Sequence, residues 1–250
     1  MKKLFTLFLT FILMLSIITQ LISCGSKNFD TNAKSEYEVL IHYYDGITRT
    51  YTVGNYDKLT AEILAPSGNI IIGLFDESGV QYATNDCIVD KWKSSFPTTL
   101  YAKYEEVTKT SYTLGKIGYD EDPKKVSFYS ARKTTWDLNS SNTSESKITQ
   151  ICECNPYSDV TITVTFMGKG KESHNGNTFK YKVVVGEETI AYFTSDDLGD
   201  NYNTYTLSAT IKAKQLINSG YEIKATASSN YGYEDYMVKN YIITLSFDFN

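Results

Sequence analysis

The chain has 250 residues, and its 24 Lys and Arg residues against 29 Asp and Glu residues give a formal net charge of −5. This acidic balance excludes the electrostatic footprint that nucleic-acid-binding proteins use, so we expect no nucleic-acid partner. The chain has 21 tyrosines and only 4 prolines. This composition favours strands with one buried and one exposed face, in which aromatic side chains are enriched.

The chain begins with two basic residues, Lys2 and Lys3, and an apolar run that reaches Ile22. The run ends in Leu21-Ile22-Ser23-Cys24-Gly25, which resembles the lipobox of bacterial lipoproteins. The resemblance implies cleavage before Cys24 and a diacylglycerol thioether on its sulfur. Cleavage removes both lysines, so the formal charge of the mature chain becomes −7.

Two alternatives remain for this segment. About 20 apolar residues can span the hydrocarbon core as an uncleaved transmembrane helix. The second alternative is an ordinary cleaved signal peptide, although such peptides favour an A-x-A-like cleavage site. All three interpretations place the rest of the chain outside the cytoplasm. The lipobox predicts a bacterial cell-membrane protein anchored through Cys24, where each buried methylene contributes about 0.8 kcal/mol of membrane affinity.

We expect four segments: a signal peptide over 1–23, a flexible tether over 24–36, a small β module over 37–106 and a β-sandwich over 107–250. The tether is polar and has no periodicity. Residues 107–118 form a plausible link between the two folded parts. The predicted fold class is therefore mainly β, with a small β-grasp-like repeat module followed by an antiparallel, jelly-roll-like sandwich.

In the first module, residues 39–44 alternate as a strand, Asp45-Gly46 is a hairpin signal, and residues 70–75 form an apolar strand. The stretches Gly68-Asn69-Ile70-Ile71-Ile72-Gly73-Leu74-Phe75-Asp76-Glu77 and Leu100-Tyr101-Ala102-Lys103-Tyr104 resemble the Listeria–Bacteroides repeat, the B-repeat of internalin-type surface proteins. Leu74 and Tyr104 stand where that family usually has Trp. The resemblance implies a β-grasp-like spacer or adhesive unit without catalysis, with Phe75 and Tyr101 in its core.

From Asp159 onward, period-two alternation predicts antiparallel strands with one buried and one wet face. The predicted strands are residues 160–166, 179–185, 189–193, 204–211, 221–227 and 241–249, with a helical turn at 212–218. Residues 139–146 are predicted as a low-complexity loop between strands near Trp136 and Ile148. This part looks like the jelly-roll domains common in carbohydrate-binding modules, a likeness that rests on pattern alone.

No catalytic residues can be assigned. His42 lies in a strand pattern and His174 in a polar loop, so neither is placed as a general base. Besides Cys24 the chain has Cys87, Cys152 and Cys154, an odd number. The last two lie two apart, and in a strand their Cα atoms would be about 7 Å apart, too far for easy bridging. We expect no cofactor.

Two loops are candidate ligand sites. Asp196, Asp197 and Asp200 are a candidate Ca²⁺ site, and a solvated acidic loop is the alternative interpretation. The second loop combines flat rings with carboxylates, a combination suited to a sugar, although core or strand-pairing roles would also explain the rings. Its residues are Tyr231, Tyr233, Glu234, Asp235 and Tyr236, with Trp136 as an outside candidate.

The sequence therefore predicts a lipid-anchored surface protein with a non-catalytic binding or adhesion role. Its partners would be the membrane, through Cys24, and a glycan or a host-matrix or surface-protein ligand. The alternative is an envelope-associated hydrolase or an accessory subunit of a polysaccharide-processing system. Two facing carboxylates in a cleft would favour that enzyme.

Overall fold

A computed structural model describes residues 36–117, 125–126, 132–137, 143–171, 179–195, 197–229 and 236–250. Within these ranges, side chains are described for residues 36–114, 146–170, 179–195, 198–224 and 242–250. The signal segment, residues 24–35 of the predicted tether with Cys24, and His174 lie outside the described residues, whereas Glu36 already belongs to a strand. Neither of the two described α-helices is long and apolar enough to cross a bilayer.

The described chain is mainly β, and the prediction of that class, with antiparallel sheets packed as a sandwich, is confirmed. The strands are β1 Glu36–His42, β2 Thr48–Gly54, β3 Leu59–Thr60, β4 Asn69–Phe75, β5 Gln81–Ala83, β6 Ile88–Val89, β7 Thr99–Glu106, β8 Ser111–Ile117, β9 Lys125–Val126, β10 Arg132–Asp137, β11 Asp159–Lys171, β12 Phe179–Val185, β13 Glu188–Ser195, β14 Asp197–Lys212, β15 Glu222–Ser229 and β16 Tyr236–Asp248. The helices are α1 Thr143–Cys154 and α2 Ala213–Asn218, and Tyr44–Gly46 is a 3-10 turn.

Residues 36–107, here called the N-terminal unit, hold a five-stranded sheet in the order β2-β1-β7-β4-β5. β1 runs parallel to β7, and the other neighbours are antiparallel. A two-stranded sheet, β3 with β6, accompanies it. Ile41, Ile70, Leu74, Leu100 and Trp92 are fully buried and form much of the core of this unit.

Residues 111–250, the C-terminal unit, hold a four-stranded sheet β10-β15-β12-β13 and a second sheet β14-β11-β16-β8, with β9 paired to β16. Alternate residues of each sheet face inward, and rings meet between the sheets: the centroids of Phe166 and Tyr181 are 4.1 Å apart in stacked planes. No sheet in the described ranges combines strands from both units.

The segment from 107 to 118, predicted as a link, contains β8, which pairs with β16 inside the sandwich. The predicted strand around Ile148 is also wrong, because residues 143–154 form α1. Ile148, Ile151 and Cys152 are buried at helical spacing and give α1 its packed face. Pro156 follows the end of α1, where it cannot continue the helix.

The prediction that Phe75 and Tyr101 are core residues is wrong. Tyr101 is 36% exposed and Phe75 is only half-buried. Their immediate neighbours Leu74 and Leu100 are fully buried instead. The reason is strand parity: adjacent side chains point to opposite faces of the sheet, and at this end of β4 and β7 only the face of Leu74 and Leu100 is covered.

Candidate functional site: a groove between the two units

A groove of about 440 Å³, here called the junction groove, lies where the N-terminal unit meets the C-terminal unit. Its volume is within the range of small-molecule sites, which commonly form at such boundaries. None of the side chains in its lining is that of Asp, Glu, Lys or Arg. The lining consists of Tyr44, Ile63, Leu64, Ala65, Ser67, Cys154, Asn155, Pro156, Tyr157, Ser158, Phe249 and Asn250.

The amide of Asn155 joins the two units beneath this groove. Its Oδ1 accepts a hydrogen bond from the backbone N–H of Gly68 at 2.9 Å, and its Nδ2 donates to the carbonyl of Asn69 at 2.9 Å. The same Nδ2 donates to the carbonyl of Ile151 at 3.2 Å, so the amide also closes α1. Asn155 is 5% exposed, and buried amides need partners of this kind.

Further contacts hold α1 against β4. The backbone N–H of Ile71 donates to Cys154 Sγ at 3.4 Å, and Gln150 Nε2 donates to the Ile71 carbonyl at 3.0 Å. Lys147 pairs with Glu105 at 3.0 Å on the surface, where such a pair contributes little. These hydrogen bonds hold the end of α1 against β4 beside the groove.

Aromatic rings stand at two places in the groove. Tyr157 is 73% exposed at the rim, and Lys214 Nζ lies 5.7 Å from its ring centroid. Phe249 is partly buried in the wall and parallel to Phe247, with centroids 6.1 Å apart. Gly68 packs against Phe249, because a Cβ at that position would lie 3.7 Å from the ring. An exposed flat ring beside apolar walls suits a ligand with an apolar face.

The three described cysteines are buried free thiols. Burial raises the pKa of the Cys87 and Cys152 thiols to about 12 and also raises the pKa of Cys154. Thiols held in the neutral form are weak nucleophiles. Cys152 and Cys154 do not share a strand face, as the sequence argument had assumed. Both lie on α1, and residues two apart on a helix point to different sides.

A second groove of about 590 Å³ lies on the C-terminal unit and has Glu187, Glu188 and Glu222 in its lining. These carboxylates already have partners in part: Gln215 Nε2 donates to Glu188 at 3.1 Å, and Lys224 pairs with Glu222. Among the described residues no group of three His, Cys, Asp or Glu side chains is placed to hold a metal ion.

The predicted sugar-binding loop is mostly outside the described residues. Tyr231, Tyr233, Glu234 and Asp235 are not described, and for Tyr236 only the backbone is, paired with Val126. The backbone of Trp136 pairs with Ile223 in the other sheet. These residues stay predictions as ligand contacts.

The predicted Ca²⁺ loop is likewise described only in part. Asp196 is outside the described residues, the backbone of Asp197 pairs with Lys171, and Asp200 is exposed. The backbone of Met237 pairs with Lys169, so Asp197 and Met237 lie near the same end of β11, on its two sides. The sequence does not reveal this proximity, because about 40 residues separate the two.

His42 lies in a strand, as predicted, and its ring stacks on Tyr101 with centroids 5.0 Å apart. Sequence reasoning missed the junction groove, since its lining comes from segments near residues 44, 65, 156 and 249. The one local signal is Asn155-Pro156-Tyr157, a turn that places a tyrosine directly after a helix end.

Comparison with known proteins gives no family. No family model matches the chain, and no curated protein matches it. Among solved structures, the chain is similar to dimeric latent PorU from Porphyromonas gingivalis, with 9% identity and a TM-score of 0.35. The match covers 56% of this chain and 13% of the PorU chain, and a likeness of this size supports no functional conclusion.

Proposed function

We propose that the protein is a lipid-anchored, extracytoplasmic binding protein that holds a neutral glycan in the junction groove and does not act catalytically. Cleavage before Cys24 would leave a polar tether of about a dozen residues between the acylated cysteine and the first strand. A Cys24 carrying acyl chains would attach to the bilayer, and the folded units would stand off from its surface.

The proposed location rests on the sequence. Leu21-Ile22-Ser23-Cys24 at the end of an apolar run is the feature that supports lipid attachment. The mature chain is acidic and offers no polybasic patch for anionic lipid. Attachment therefore depends on the thioether at Cys24.

The proposed ligand class rests on one observation: the junction groove combines an exposed tyrosine with apolar walls and lacks ionisable Asp, Glu, Lys and Arg side chains in its lining. Apart from the Lys214 ammonium beside the Tyr157 ring, the groove offers a charged ligand no opposite charge to offset its lost hydration. A sugar presents an apolar C–H face for the Tyr157 ring and hydroxyls for the polar groups of Ser67, Ser158 and Asn250.

An array of neutral and acidic oligosaccharides tests this proposal. We expect the intact protein to bind neutral members, and Tyr157→Ala to weaken that binding about tenfold or more, since truncation of a hot-spot anchor costs about 2 kcal/mol or more. Tyr192→Ala is the matched control, because Tyr192 is 53% exposed on β13 and outside the groove. Equal losses in the two variants, or binding restricted to acidic oligosaccharides, would contradict the proposal.

A further inference from the structure

The outer surface of the sheet β14-β11-β16-β8 carries an array of side-chain hydroxyls, here called the hydroxyl face. Among the described side chains, the outward positions in the central rows of these four strands are Ser or Thr, except Ile242 on β16. All of these side chains are half-buried or exposed, whereas the residues between them are mostly buried. The array consists of Thr206, Ser208, Thr210, Thr161, Thr163, Thr165, Thr244, Ser246, Ser111 and Thr113.

The strand registers place these hydroxyls in rows across the sheet. One row runs Thr210, Thr161, Ser246, Ser111, and the next runs Ser208, Thr163, Thr244, Thr113. Neighbouring strands are about 4.8 Å apart, and equivalent positions along a strand repeat every 6.6 Å or so. The hydroxyl face therefore has a regular two-dimensional repeat.

Hydrogen bonds within the rows leave bonding capacity for a ligand. The oxygens of Thr161 and Thr210 are 2.9 Å apart, and those of Thr163 and Ser208 are 3.0 Å apart. A longer contact of 3.4 Å joins Thr113 to Thr244. Each such pair uses one O–H as donor, which leaves the second O–H and several lone pairs facing outward.

Charged side chains border the array but do not enter its rows. Lys212 Nζ pairs with Asp159 at 2.8 Å beyond the row of Thr161, and Asp248 follows Ser246 on β16. An ionic ligand would find no counter-charge among the hydroxyls, and a polyanion would also be repelled by the acidic chain. A strongly apolar partner would gain only threonine methyls and Ile242.

We propose that the hydroxyl face binds an extended, neutral polysaccharide. Successive sugars present hydroxyls at a regular repeat, and each hydroxyl can both donate to and accept from the threonine pairs. The threonine methyls supply apolar contact between these hydrogen bonds. The inference takes the ligand class from the proposed function, but it concerns a separate surface and a polymer instead of a short oligosaccharide.

The test uses the intact acylated protein in a detergent without sugar headgroups, with cellulose, chitin, xylan and mannan as neutral probes and alginate as an anionic one. The face variant combines Thr161→Val, Thr163→Val and Thr244→Val, which remove hydroxyls and keep the branched shape. Its matched control combines Thr50→Val, Thr189→Val and Thr194→Val, all exposed positions outside the hydroxyl face. Urea unfolding of both variants verifies that the fold is retained.

We expect at least one neutral polymer to bind, the face variant to lose tenfold or more in affinity, and the control variant to bind as the wild type does. Binding to alginate alone, equal affinities of face variant and wild type, or binding to none of the polymers would overturn the inference. Self-association that the face variant abolishes would also overturn it, because the face would then take a second copy of the chain.

Tyr157→Ala separates this inference from the groove proposal. If polymer binding survives in Tyr157→Ala and fails in the face variant, the hydroxyl face is supported whatever the groove binds. If polymer binding fails in Tyr157→Ala and survives in the face variant, the groove accounts for it and the hydroxyl face is refuted. The groove itself is judged by the oligosaccharide array.

Discussion

Asn155 Oδ1 accepts a hydrogen bond from the backbone N–H of Gly68 at 2.9 Å, across 87 residues of sequence. This contact couples the end of α1 to the start of β4, and the amide nitrogen of the same side chain bonds the carbonyl of Asn69. The helix of the C-terminal unit thereby packs against the sheet of the N-terminal unit. Independent folding of residues 37–106 stays a prediction.

Asn155→Ala should destabilise the protein, because it removes the acceptor of the Gly68 N–H and the donor to the Asn69 carbonyl. Each orphaned buried group costs about 1–3 kcal/mol. Urea unfolding measures this loss. Asn203→Ala is the control, since Asn203 is exposed and donates only to carbonyls of its own strand, those of Leu198 and Asn201. A loss no greater than that of the control would show that the amide does not couple the units.

Leu74→Ala should cost about 2–5 kcal/mol of unfolding free energy, as for a fully buried leucine. Phe75→Ala should cost less, because Phe75 is half-buried on the open face beneath Lys103, whose Nζ lies 4.4 Å from its ring centroid. Thermal or urea unfolding of the two variants decides the order. The reverse order would restore the core position that the repeat resemblance implies.

Gly73→Ala should destabilise the protein more than Gly46→Ala. Both glycines have positive φ, +151° and +74°, so alanine is strained at either position. A Cβ at Gly73 would additionally overlap the carbonyl oxygen of Ala83, while a Cβ at Gly46 meets nothing within 4 Å. Equal unfolding midpoints for the two variants would contradict the tight approach of β4 and β5.

The free energy of unfolding should fall as the pH rises from about 9 to about 12. Burial raises the pKa of the Cys87 and Cys152 thiols from 9.0 to about 12, so the unfolded chain loses these protons first. The stabilisation is present below pH 9 and disappears through the folded pKa values, at about 1.4 kcal/mol per pKa unit. Urea midpoints at two alkaline pH values measure the slope, which Cys152→Ala should reduce; a flat profile would contradict the burial argument.

Acylation of Cys24 should be visible by mass spectrometry of the protein from its native membrane. We expect an N-terminus at Cys24 with acyl chains, and Cys24→Ser should abolish the lipid and release the protein from the membrane. Retention of Met1, or an unmodified Cys24, would refute the lipoprotein assignment. This measurement is independent of both glycan proposals.

Hydrophobic periodicity by itself determined most of the strands. Val160, Ile162, Val164 and Phe166 alternate with threonines, and the structure buries the first set and exposes the second to different degrees. The short helix α2, which ends just before Gly220, was also predictable from its sequence. Period-two patterns are local, so a sheet with one covered face can be predicted without its partner.

α1 was not predictable in the same way, because its buried stripe of Ile148, Ile151 and Cys152 is short and follows a low-complexity polar stretch. The prediction of Phe75 as a core residue, which the repeat resemblance implied, was wrong, since a one-residue shift moves a side chain to the other face. Only packing against the rest of the fold distinguishes the two faces.

The sequence alone determined that the chain resembles a lipoprotein precursor at its start and forms strands over most of its length. Only the tertiary structure decided that Tyr157, Phe249 and Ser67 surround one groove, and that four separate strands align their hydroxyls in rows. The physical reason is that groove and rows depend on strand register and on contacts between units, both of which join residues far apart in the chain.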